Sequence, residues 1–440
     1  MFMQTNKALV GGTEMRDAES ALMLKVKLRV IPLIIVCYLF AWFDRINISF
    51  AKFHLQKELA LSDTAYGLGA ALFVVGYVAC EVPSNLFLYR VGPRKWIARI
   101  MISWGIATAC MVFVRTEWQF YIARFIIGAM EAGFAPGVLY YLSTWFPAKH
   151  RGRVSSLLFL ALAFSGILGA PLSGFILGHF EGVGGMAAWH WIFLIGGLPC
   201  VLLGFVVFWR FDDKVEDAKW LTADEKRLLR SQLDVDAKKA ESHSFLGALK
   251  SKAFLILALA YFLVQIASYG MNFWMPQLIR SSGLRDSTMI GLLTALPYLF
   301  GGVGMLVMGR LGDRTGNRRV VFASCILLTA VGFLGAGIFA HDTVLLTVSL
   351  IVLGTGMLTT IPAFWTLPPK VVTGVGAAGG IALINSIGQL GGIVSPVMVG
   401  RISDLSGSTT PALYTIVGLC VLCAALAIWA FPAQLRAKDV

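Results

Sequence analysis

The fold of this chain follows from one stretch of its sequence, residues 291–338, which reads GLLTALPYLFGGVGMLVMGRLGDRTGNRRVVFASCILLTAVGFLGAGI. A short basic and glycine-rich segment, 309–319, separates two apolar runs, and each run is long enough to cross about 30 Å of hydrocarbon as a helix. Neither run alternates as the strand of a membrane barrel would, and only helices or closed barrels satisfy the backbone in lipid. The stretch therefore predicts two membrane-spanning helices joined by a charged turn.

Apolar runs of this length recur on both sides of that stretch. The 440 residues are 57% hydrophobic and only 14% charged, with a mean hydropathy of +0.75, whereas soluble domains carry roughly 25% charged residues. The predicted spans are 28–50, 64–89, 96–114, 118–143, 154–179, 189–209, 253–279, 288–309, 320–340, 343–368, 374–400 and 411–431. The sequence thus predicts an all-α membrane protein with twelve transmembrane helices.

The longest polar stretch, 211–250, divides the predicted spans six and six. We predict an N-terminal six-helix bundle over 1–210, a cytoplasmic linker over 211–250 and a C-terminal six-helix bundle over 251–440. Thr222 and Glu225 form a capping box that opens an amphipathic helix in the linker. We interpret this linker as a solvated, charged connector and not as a binding element.

The two halves also repeat weakly. A degraded copy of the 309–319 segment, Arg90–Lys95, lies 224 residues earlier, after the second predicted span. An offset of 226 residues relates two further landmarks, Gly128 with Pro136 and Gly354 with Pro362. Corresponding landmarks in two six-span halves are typical of a duplicated transporter.

The basic residues gather in the short connections between apolar runs. A net charge of +13 would suggest nucleic acid in a soluble protein, but in these positions Lys and Arg set membrane topology, so we predict no nucleic-acid partner. With the N-terminus inside, the inner connections hold Arg90, Arg94, Lys95, Arg99, Lys149, Arg151, Arg153, Arg310, Arg314, Arg318, Arg319 and Lys370. The outer ones hold Lys52, Lys57, Arg115, Arg280, Arg285 and Arg401. This bias predicts that both termini are cytoplasmic.

The cysteines and the N-terminus carry little further signal. All seven cysteines lie in or beside apolar runs, and no pair has metal-binding spacing, so we predict neither disulfides, nor metal, nor any other cofactor. Residues 1–24 lack the short apolar core and cleavage site of a signal peptide. The first span is therefore expected to serve as its own insertion signal.

The chain resembles the major facilitator superfamily, whose best-known motif is similar to Gly309-Arg-Leu-Gly-Asp313-Arg-Thr-Gly-Asn-Arg-Arg319. Within it, the chain resembles the anion:cation symporter family through segments 43–47, 76–85, 123–133, 220–226 and 382–392. The resemblance implies two pseudo-symmetric bundles that work by alternating access. It also implies substrates such as tartrate, phthalate, hydroxyphenylacetate or sugar acids.

Ionisable residues inside the predicted spans mark a candidate site. Each costs about 2.5 to 3.5 kcal/mol to insert, so such residues persist where they face protein or water. All of them lie in the first half, namely Asp44, Arg45, Glu81, Arg124 and Glu131, and none lies well inside a span of the second half. Burial raises the pKa of a carboxyl group and a nearby guanidinium lowers it, so a movable Arg could switch protonation.

These residues suggest separate roles. We predict that Glu131 and Asp44 carry the coupling protons, although Asp44 and Arg124 are also compatible with fixed ion pairs that hold the bundle together. Glu131 and Arg124 share a helix face about 10.5 Å apart, so each needs another partner. Arg45 is the predicted clamp for a substrate carboxylate, because a guanidinium offers a bidentate fork.

Further substrate-binding residues are predicted in both halves. Arg124 and Tyr77 are candidates in the first, although Tyr77 is equally compatible with simple packing. Asn385 is a candidate in the second, with helix-to-helix tying as the alternative. Trp365 is a possible cavity wall by resemblance, whereas aromatic anchoring at the interface is its ordinary role.

Two features are predicted to govern conformation. Glu81 is predicted to form a latch between helices. The loop residues Asp313, Arg314, Arg318 and Arg319 are predicted to form an inner latch by pairing with helix ends. A stripe of small residues along the fifth span is predicted to pack tightly against a neighbouring helix that rocks during transport; it comprises Gly166, Ala170, Gly174 and Gly178.

The sequence therefore predicts proton-coupled uptake of a small organic carboxylate by a monomeric carrier in a lipid bilayer, the bacterial inner membrane. One alternative is a proton-coupled antiporter that exports an organic compound, because Pro171 resembles part of a signature of such proteins. Another is a membrane enzyme or receptor. We predict no enzyme, since no metal cluster, nucleophile motif or nucleotide loop is visible in the sequence.

Overall fold

The structure is a computed structural model that describes residues 2–238, 252–371 and 376–431, with side chains from residue 19 onward except at 153, 155, 156, 159, 234–238, 313, 370, 371 and 376–379. Twelve helical segments in this part of the chain are long and apolar enough to cross a membrane, which confirms the predicted class. Numbered as spans 1 to 12, they are Glu19–Leu59, Asp63–Val91, Pro93–Phe113, Glu117–Trp145, Leu160–His179, Ala188–Arg210, Lys252–Ser281, Ser287–Gly312, Arg318–Ile338, Thr343–Trp365, Gly380–Ser406 and Thr410–Ala430.

The bounds of these helices follow from local chemistry. Polar side chains that accept first-turn N–H groups open five of them: Ser62, Thr116, Asp286, Asn317 and Asp342. The 309–319 segment forms the tight turn that its sequence predicts. Gly316 ends the helix Ser287–Thr315 with a φ of 61°, and the Asn317 side chain accepts the Val320 N–H at the start of the next helix.

Large apolar side chains cover the outside of the bundle. Leu202, Val303 and Val331 are each more than half exposed although they lie in the middle of their spans. Water would oppose such a surface, whereas lipid is its natural solvent. The chain is therefore an integral membrane protein.

The six spans before the linker and the six after it repeat one close contact. Gly128 of span 4 lies against the backbone carbonyl of Phe73 in span 2, with no room for a side chain. Gly354 of span 10 lies in the same way against the carbonyl of Pro297 in span 8. Because Phe73 and Pro297 are 224 residues apart, the weak sequence repeat corresponds to a repeated packing unit.

The most extensive packing of the first six spans against the last six occurs at two pairs of helices. Span 2 packs against the part of span 11 formed by Gly391–Ser406, and span 5 packs against span 8. The small-residue stripe of span 5 lies at the second contact: Gly174 meets Gly291 backbone to backbone, and Gly166 accommodates the ring of Tyr298. Its predicted tight packing is confirmed, and span 8 is the partner.

The linker differs from the predicted solvated connector. Its helix, Ala223–Lys238, begins with the predicted capping box, in which Thr222 N–H donates to Glu225 at 2.8 Å and Glu225 N–H donates to Thr222 at 3.3 Å. However, the segment also packs onto the first half. Trp220 stacks on Trp145, with their ring centroids 5.5 Å apart, and Leu229 is fully buried. An amphipathic segment gains more by burying its apolar side chains than by remaining solvated, so the described part of the linker, up to residue 238, is docked.

We call the side of the bundle that carries this linker helix the linker side, and the opposite side the far side. Because successive spans alternate in direction, the far side holds the turn between Leu59 and Asp63 and the helix ends near 115, 183, 284, 340 and 408. The linker side holds the 309–319 segment.

Candidate functional site

A break in span 4 presents the first candidate residue. The helix Glu117–Glu131 stops at Glu131, Gly133 adopts a φ of 86°, and a second helix starts at Phe134. The Ser84 hydroxyl of span 2 donates to the carbonyl of Ala132 at 2.7 Å, which satisfies one backbone group released by the break. Gly133 is required here because its positive φ and its contact with Ser84 both exclude a side chain. Broken helices are typical of transporter binding sites.

Glu131 forms a buried ion pair with Arg45 of span 1. Arg45 donates to the same carboxylate oxygen, Oε1, from Nε at 2.9 Å and from Nη2 at 2.6 Å. The side chain of Glu131 is 1% exposed and that of Arg45 is 18% exposed. The other carboxylate oxygen, Oε2, has no hydrogen-bond partner, and no further hydrogen bond of Arg45 is found in the described part of the chain. The guanidinium therefore retains donors for a second anion.

Aromatic rings surround this guanidinium. Its Cζ atom lies 4.9 Å from the ring centroid of Trp42, 5.6 Å from that of Phe73 and 5.2 Å from that of Tyr77. Arg124 lies over the same Phe73 ring at 4.7 Å. Rings at these distances stabilise a cation while leaving its hydrogen-bond donors unused. The predicted residues Arg45, Glu131, Tyr77 and Arg124 thus come together around Phe73.

Asp44 neighbours this cluster but points toward spans 3 and 6. Its carboxylate accepts a hydrogen bond from Trp104 Nε1 at 3.0 Å, and it is 2% exposed. It attracts Arg124 electrostatically, yet no ion pair within 4.0 Å joins the two side chains. Arg124 Nε is buried without a hydrogen-bond partner. Asp44 and Arg124 therefore interact through space without a direct hydrogen bond.

The second half contributes a neutral network. Gln389 of span 11 accepts hydrogen bonds from Tyr269 at 3.0 Å and from Gln265 at 3.3 Å, both on span 7. Tyr269 lies close enough to Arg45 and Glu131 to interact with their charges. The Gln265 and Tyr269 spacing of four residues on span 7 was the available sequence signal, because it places both on one helix face. This neutral network of the second half therefore lies beside the ion pair.

Three predicted residues, Asn385, Trp365 and Glu81, have no hydrogen bond or ion pair with the cluster in the part of the chain that the structure describes, although Glu81 interacts electrostatically with Arg45. Asn385 is half-buried, and Trp365 packs on the linker side against Tyr261, with ring centroids 4.9 Å apart. Neither Glu81 nor Arg314 has a hydrogen bond or ion pair with any described residue. The Asp313 side chain lies outside the described residues. The role of Asn385 and Trp365 in substrate binding, and the latch role of Glu81, Asp313, Arg314 and Arg318, stay predictions.

One sequence-based placement was wrong. Lys52 was assigned to an outer connection, but the helix of span 1 continues to Leu59, and Lys52 is 1% exposed. It forms an ion pair with Asp63 at 2.8 Å and lies 3.3 Å from the ring centroid of Trp274. A polar run at a helix end can continue the helix when neighbouring spans supply partners, and periodicity does not show those partners.

The described residues contain no group of three or more His, Cys, Asp or Glu that could hold a metal ion. The polar chemistry of the site is instead one ion pair, nearby Asp44 and Arg124, and neutral amide and phenol groups. Such a set can bind and release anions and protons by small movements of side chains.

Known proteins resemble the chain over nearly its whole length. It is 42% identical over 417 residues to the metabolite transport protein NicT of Pseudomonas putida, covering 94% of this chain and 95% of that protein. It is 40% identical to a protein of Agrobacterium vitis named as a tartrate transporter, covering 95% and 93%. It is 37% identical to a quinolone resistance transporter of Acinetobacter baumannii, covering 90% and 92%.

The fold has solved counterparts. The crystal structure of a D-xylose-proton symporter superposes with a TM-score of 0.74 at 16% identity, covering 94% of this chain and 99% of that one. A sequence profile of the Major Facilitator Superfamily matches residues 34–289 and 257–439. With this profile, the transporter relatives and the twelve spans together, the chain is a secondary transporter and not an enzyme, and it belongs to the Major Facilitator Superfamily.

Proposed function

We propose that this carrier takes up a small organic carboxylate together with protons by alternating access. The observation that supports the proposal most is the ion pair between Arg45 and Glu131. In it the guanidinium donates two hydrogen bonds to one carboxylate oxygen, and its remaining N–H donors are unused. Two carboxylates, one of the protein and one of the substrate, would compete for this one cation.

That competition would couple the substrate to a proton. When a substrate carboxylate binds Arg45 in place of Glu131, the Glu131 side chain loses its ion-pair partner but remains buried, with 1% of its surface exposed. An unpartnered carboxylate is costly in such a site, so Glu131 would accept a proton. Substrate anion and proton then favour each other's binding, which is the thermodynamic requirement for symport. Asp44 would be a second proton site, held near the pair but bonded to Trp104.

The same logic gives the transport cycle. With substrate and proton bound, the carrier closes on one side of the membrane and opens on the other. Both ligands then leave on the side where the proton concentration is lower. Glu131 and Arg45 then pair again, so the empty carrier can return without a net buried charge. The two six-span halves, 1–210 and 251–440, would rock about their contacts at spans 2 and 11 and at spans 5 and 8.

We further propose that the linker side is cytoplasmic in the bacterial inner membrane and that the carrier works as a monomer. The excess of Lys and Arg in the connections on that side supports the orientation. The relative named as a tartrate transporter supports a hydroxylated carboxylate as substrate.

A second candidate is proton-coupled export of an organic compound. The relative named as a quinolone resistance transporter favours it. In that case a cationic group of the substrate would replace Arg45 at Glu131, and substrate and proton would oppose each other at the site. The sign of the coupling therefore separates the two functions.

Uptake into proteoliposomes tests the proposal. We expect labelled tartrate, or another hydroxy acid or aromatic acid from a small panel, to accumulate only when the outside is more acidic than the inside. Threitol, the neutral polyol with the carbon skeleton of tartrate, is the matched control and should not accumulate. Accumulation driven by the opposite gradient would identify an exporter, and equal handling of tartrate and threitol would exclude Arg45 as an anion clamp.

A further inference from the structure

A network on the far side plays no part in the proposed chemistry, yet it crosses between the halves. Lys52 of span 1 pairs with Asp63 at the start of span 2, with 2.8 Å between Nζ and Oδ1. Gln56 also donates to Asp63 Oδ1 at 2.8 Å. All three residues belong to the first half, so these bonds join the adjacent ends of spans 1 and 2.

The second half holds this group from two directions. From span 7, Trp274 places its ring 3.3 Å from Lys52 Nζ, and Gln277 accepts a hydrogen bond from the same atom. From span 11, Asp404 accepts the backbone N–H groups of Asp63 at 3.0 Å and of Thr64 at 2.8 Å. Bonds that run from span 7 through Lys52 and Asp63 to span 11 therefore cross the boundary between the halves twice.

The contact of Asp404 is unusual among the helix caps of this protein. The helix of span 2 already has its own cap, since Ser62 accepts the Ala65 N–H at 3.0 Å. Asp404 supplies a second cap from the other half, and its negative charge faces the positive end of the helix dipole. Asp286 and Asp342, in contrast, cap helices that begin at the next residue of the chain.

Close backbone packing sets the position of this second cap. Gly400 lies against the backbone of Asp63, and Gly67 lies against the carbonyl of Pro396, with no space for a side chain at either glycine. Spans 2 and 11 therefore approach one another as closely as backbones allow on the far side. Asp404 lies one helical turn beyond Gly400, at the rim of this contact.

We propose that Lys52, Asp63, Gln277 and Asp404 form a far-side latch that holds the two halves together and breaks each time the carrier opens on that side. Lys52 is buried and would be costly without a partner, but its ion pair with Asp63 lies within one half and survives the opening. Asp404 is exposed, so on opening water replaces the two backbone N–H groups from which it accepts hydrogen bonds. Opening thus breaks bonds across the boundary and leaves no uncompensated charge, which makes the latch reversible. The inference rests on the proposed transport function only in assuming that this side opens.

The distance between the two halves on the far side measures the latch directly. Spin labels at Lys57 and Ser408, both exposed and in different halves, report this distance in nanodiscs once the accessible Cys80 and Cys110 are replaced by serine. In the double variant Asp404→Ala with Gln277→Ala, we expect the ratio of wide to narrow distances to rise at least tenfold, since the variant loses hydrogen bonds to charged groups and one such bond is worth about one decade in an equilibrium constant. The matched control is Asp342→Ala, which removes a cap made within one half and should leave the distances unchanged.

Parental distances in the folded double variant would overturn the latch, and so would equal widening in the Asp342→Ala control. If the double variant is not recovered as folded protein, the two single variants are measured, and parental distances in both overturn the latch as well. The experiment needs neither substrate nor a proton gradient. Failure of carboxylate uptake would therefore refute the proposed function without affecting the latch. Unchanged distances would refute the latch without affecting the proposed function.

Discussion

The polar core of the first half is charged, whereas that of the second half is neutral. The first half has four charged residues in spans 1 and 4 that interact with one another electrostatically: Arg45, Glu131, Asp44 and Arg124. Across from them, Tyr269 and Gln265 donate to Gln389 through uncharged hydrogen bonds. A charge buried in a membrane protein changes its energy strongly when it gains or loses a proton or a counter-ion, and an amide does not.

This difference suggests a division of labour. The first half would provide the energy coupling, because its groups can exchange protons and bind an anion. The second half would provide shape and hydrogen bonds that choose among substrates, because each neutral bond contributes modestly and depends on direction.

The largest effect is expected from Arg45→Lys. An ammonium cannot reproduce the planar fork, and disrupting one partner of a buried charge pair costs about 2 to 5 kcal/mol, so substrate binding should fall below detection. Calorimetry on the purified carrier measures it. The control Arg401→Lys changes an exposed arginine of the second half and should bind normally. Normal affinity of the Arg45→Lys variant would end the role of Arg45 as clamp.

Glu131→Gln should separate exchange from accumulation. Glutamine resembles the protonated glutamate and cannot release a proton, so the variant should exchange substrate between two filled compartments but fail at uptake driven by a pH gradient. Both rates are measured on one preparation of proteoliposomes. If Glu131 were only a structural partner of Arg45, its loss would cost about 3 to 5 kcal/mol and damage folding and exchange together.

For that variant the exposed Glu117, at the start of the same span, offers a matched substitution, Glu117→Gln, that should preserve gradient-driven uptake. Accumulation of substrate by Glu131→Gln at the parental level would show that the coupling proton lies elsewhere, with Asp44 as the next candidate.

A smaller change is expected in the second half. Gln389→Ala removes the shared acceptor of Tyr269 and Gln265, so affinity should fall by about 1 kcal/mol, roughly fivefold, with the proton dependence unchanged. Asn385→Ala, one helical turn away, tests the residue favoured by the sequence. A greater loss with Asn385→Ala than with Gln389→Ala would support the prediction that Asn385 binds substrate. Loss of proton dependence in either variant would contradict the division between the halves.

The smallest effect concerns the docked linker. The Lys25 ammonium beside Glu225 holds the pKa of that carboxyl below its usual value. Since a depressed pKa stabilises the folded state above the unfolded pKa of about 4.3, the stabilisation is lost as the pH falls through the folded value.

Glu225→Gln should therefore lower hydrogen-exchange protection of the helix Ala223–Lys238 at neutral pH by a few-fold, equivalent to about 1 kcal/mol or less, and less at acid pH. The control Asp224→Asn affects an exposed pair with Arg227 and should change protection less. Equal protection of Glu225→Gln and the parent at neutral pH would show that this pair does not dock the linker.

Much of this molecule was predictable from the sequence, because lipid imposes a simple rule on helix length. Twelve apolar runs, the turn at 309–319, the capping box at Thr222 and the glycine stripe of span 5 all follow from local chemistry, and the structure confirms them. The buried charges of the first half could also be identified, since a charge in an apolar run is conspicuous.

Only the tertiary structure decided which of those groups meet. Arg45 pairs with Glu131, which lies 86 residues away in the sequence. Lys52 is buried where the two halves meet, and sequence periodicity does not show that these halves pack there. Gln389, and not Asn385, joins the network beside the ion pair, although the two amides lie one turn apart on the same helix. Helical periodicity specifies which face a residue occupies, but the partner across that face depends on how distant helices cross, and long-range packing alone sets that crossing.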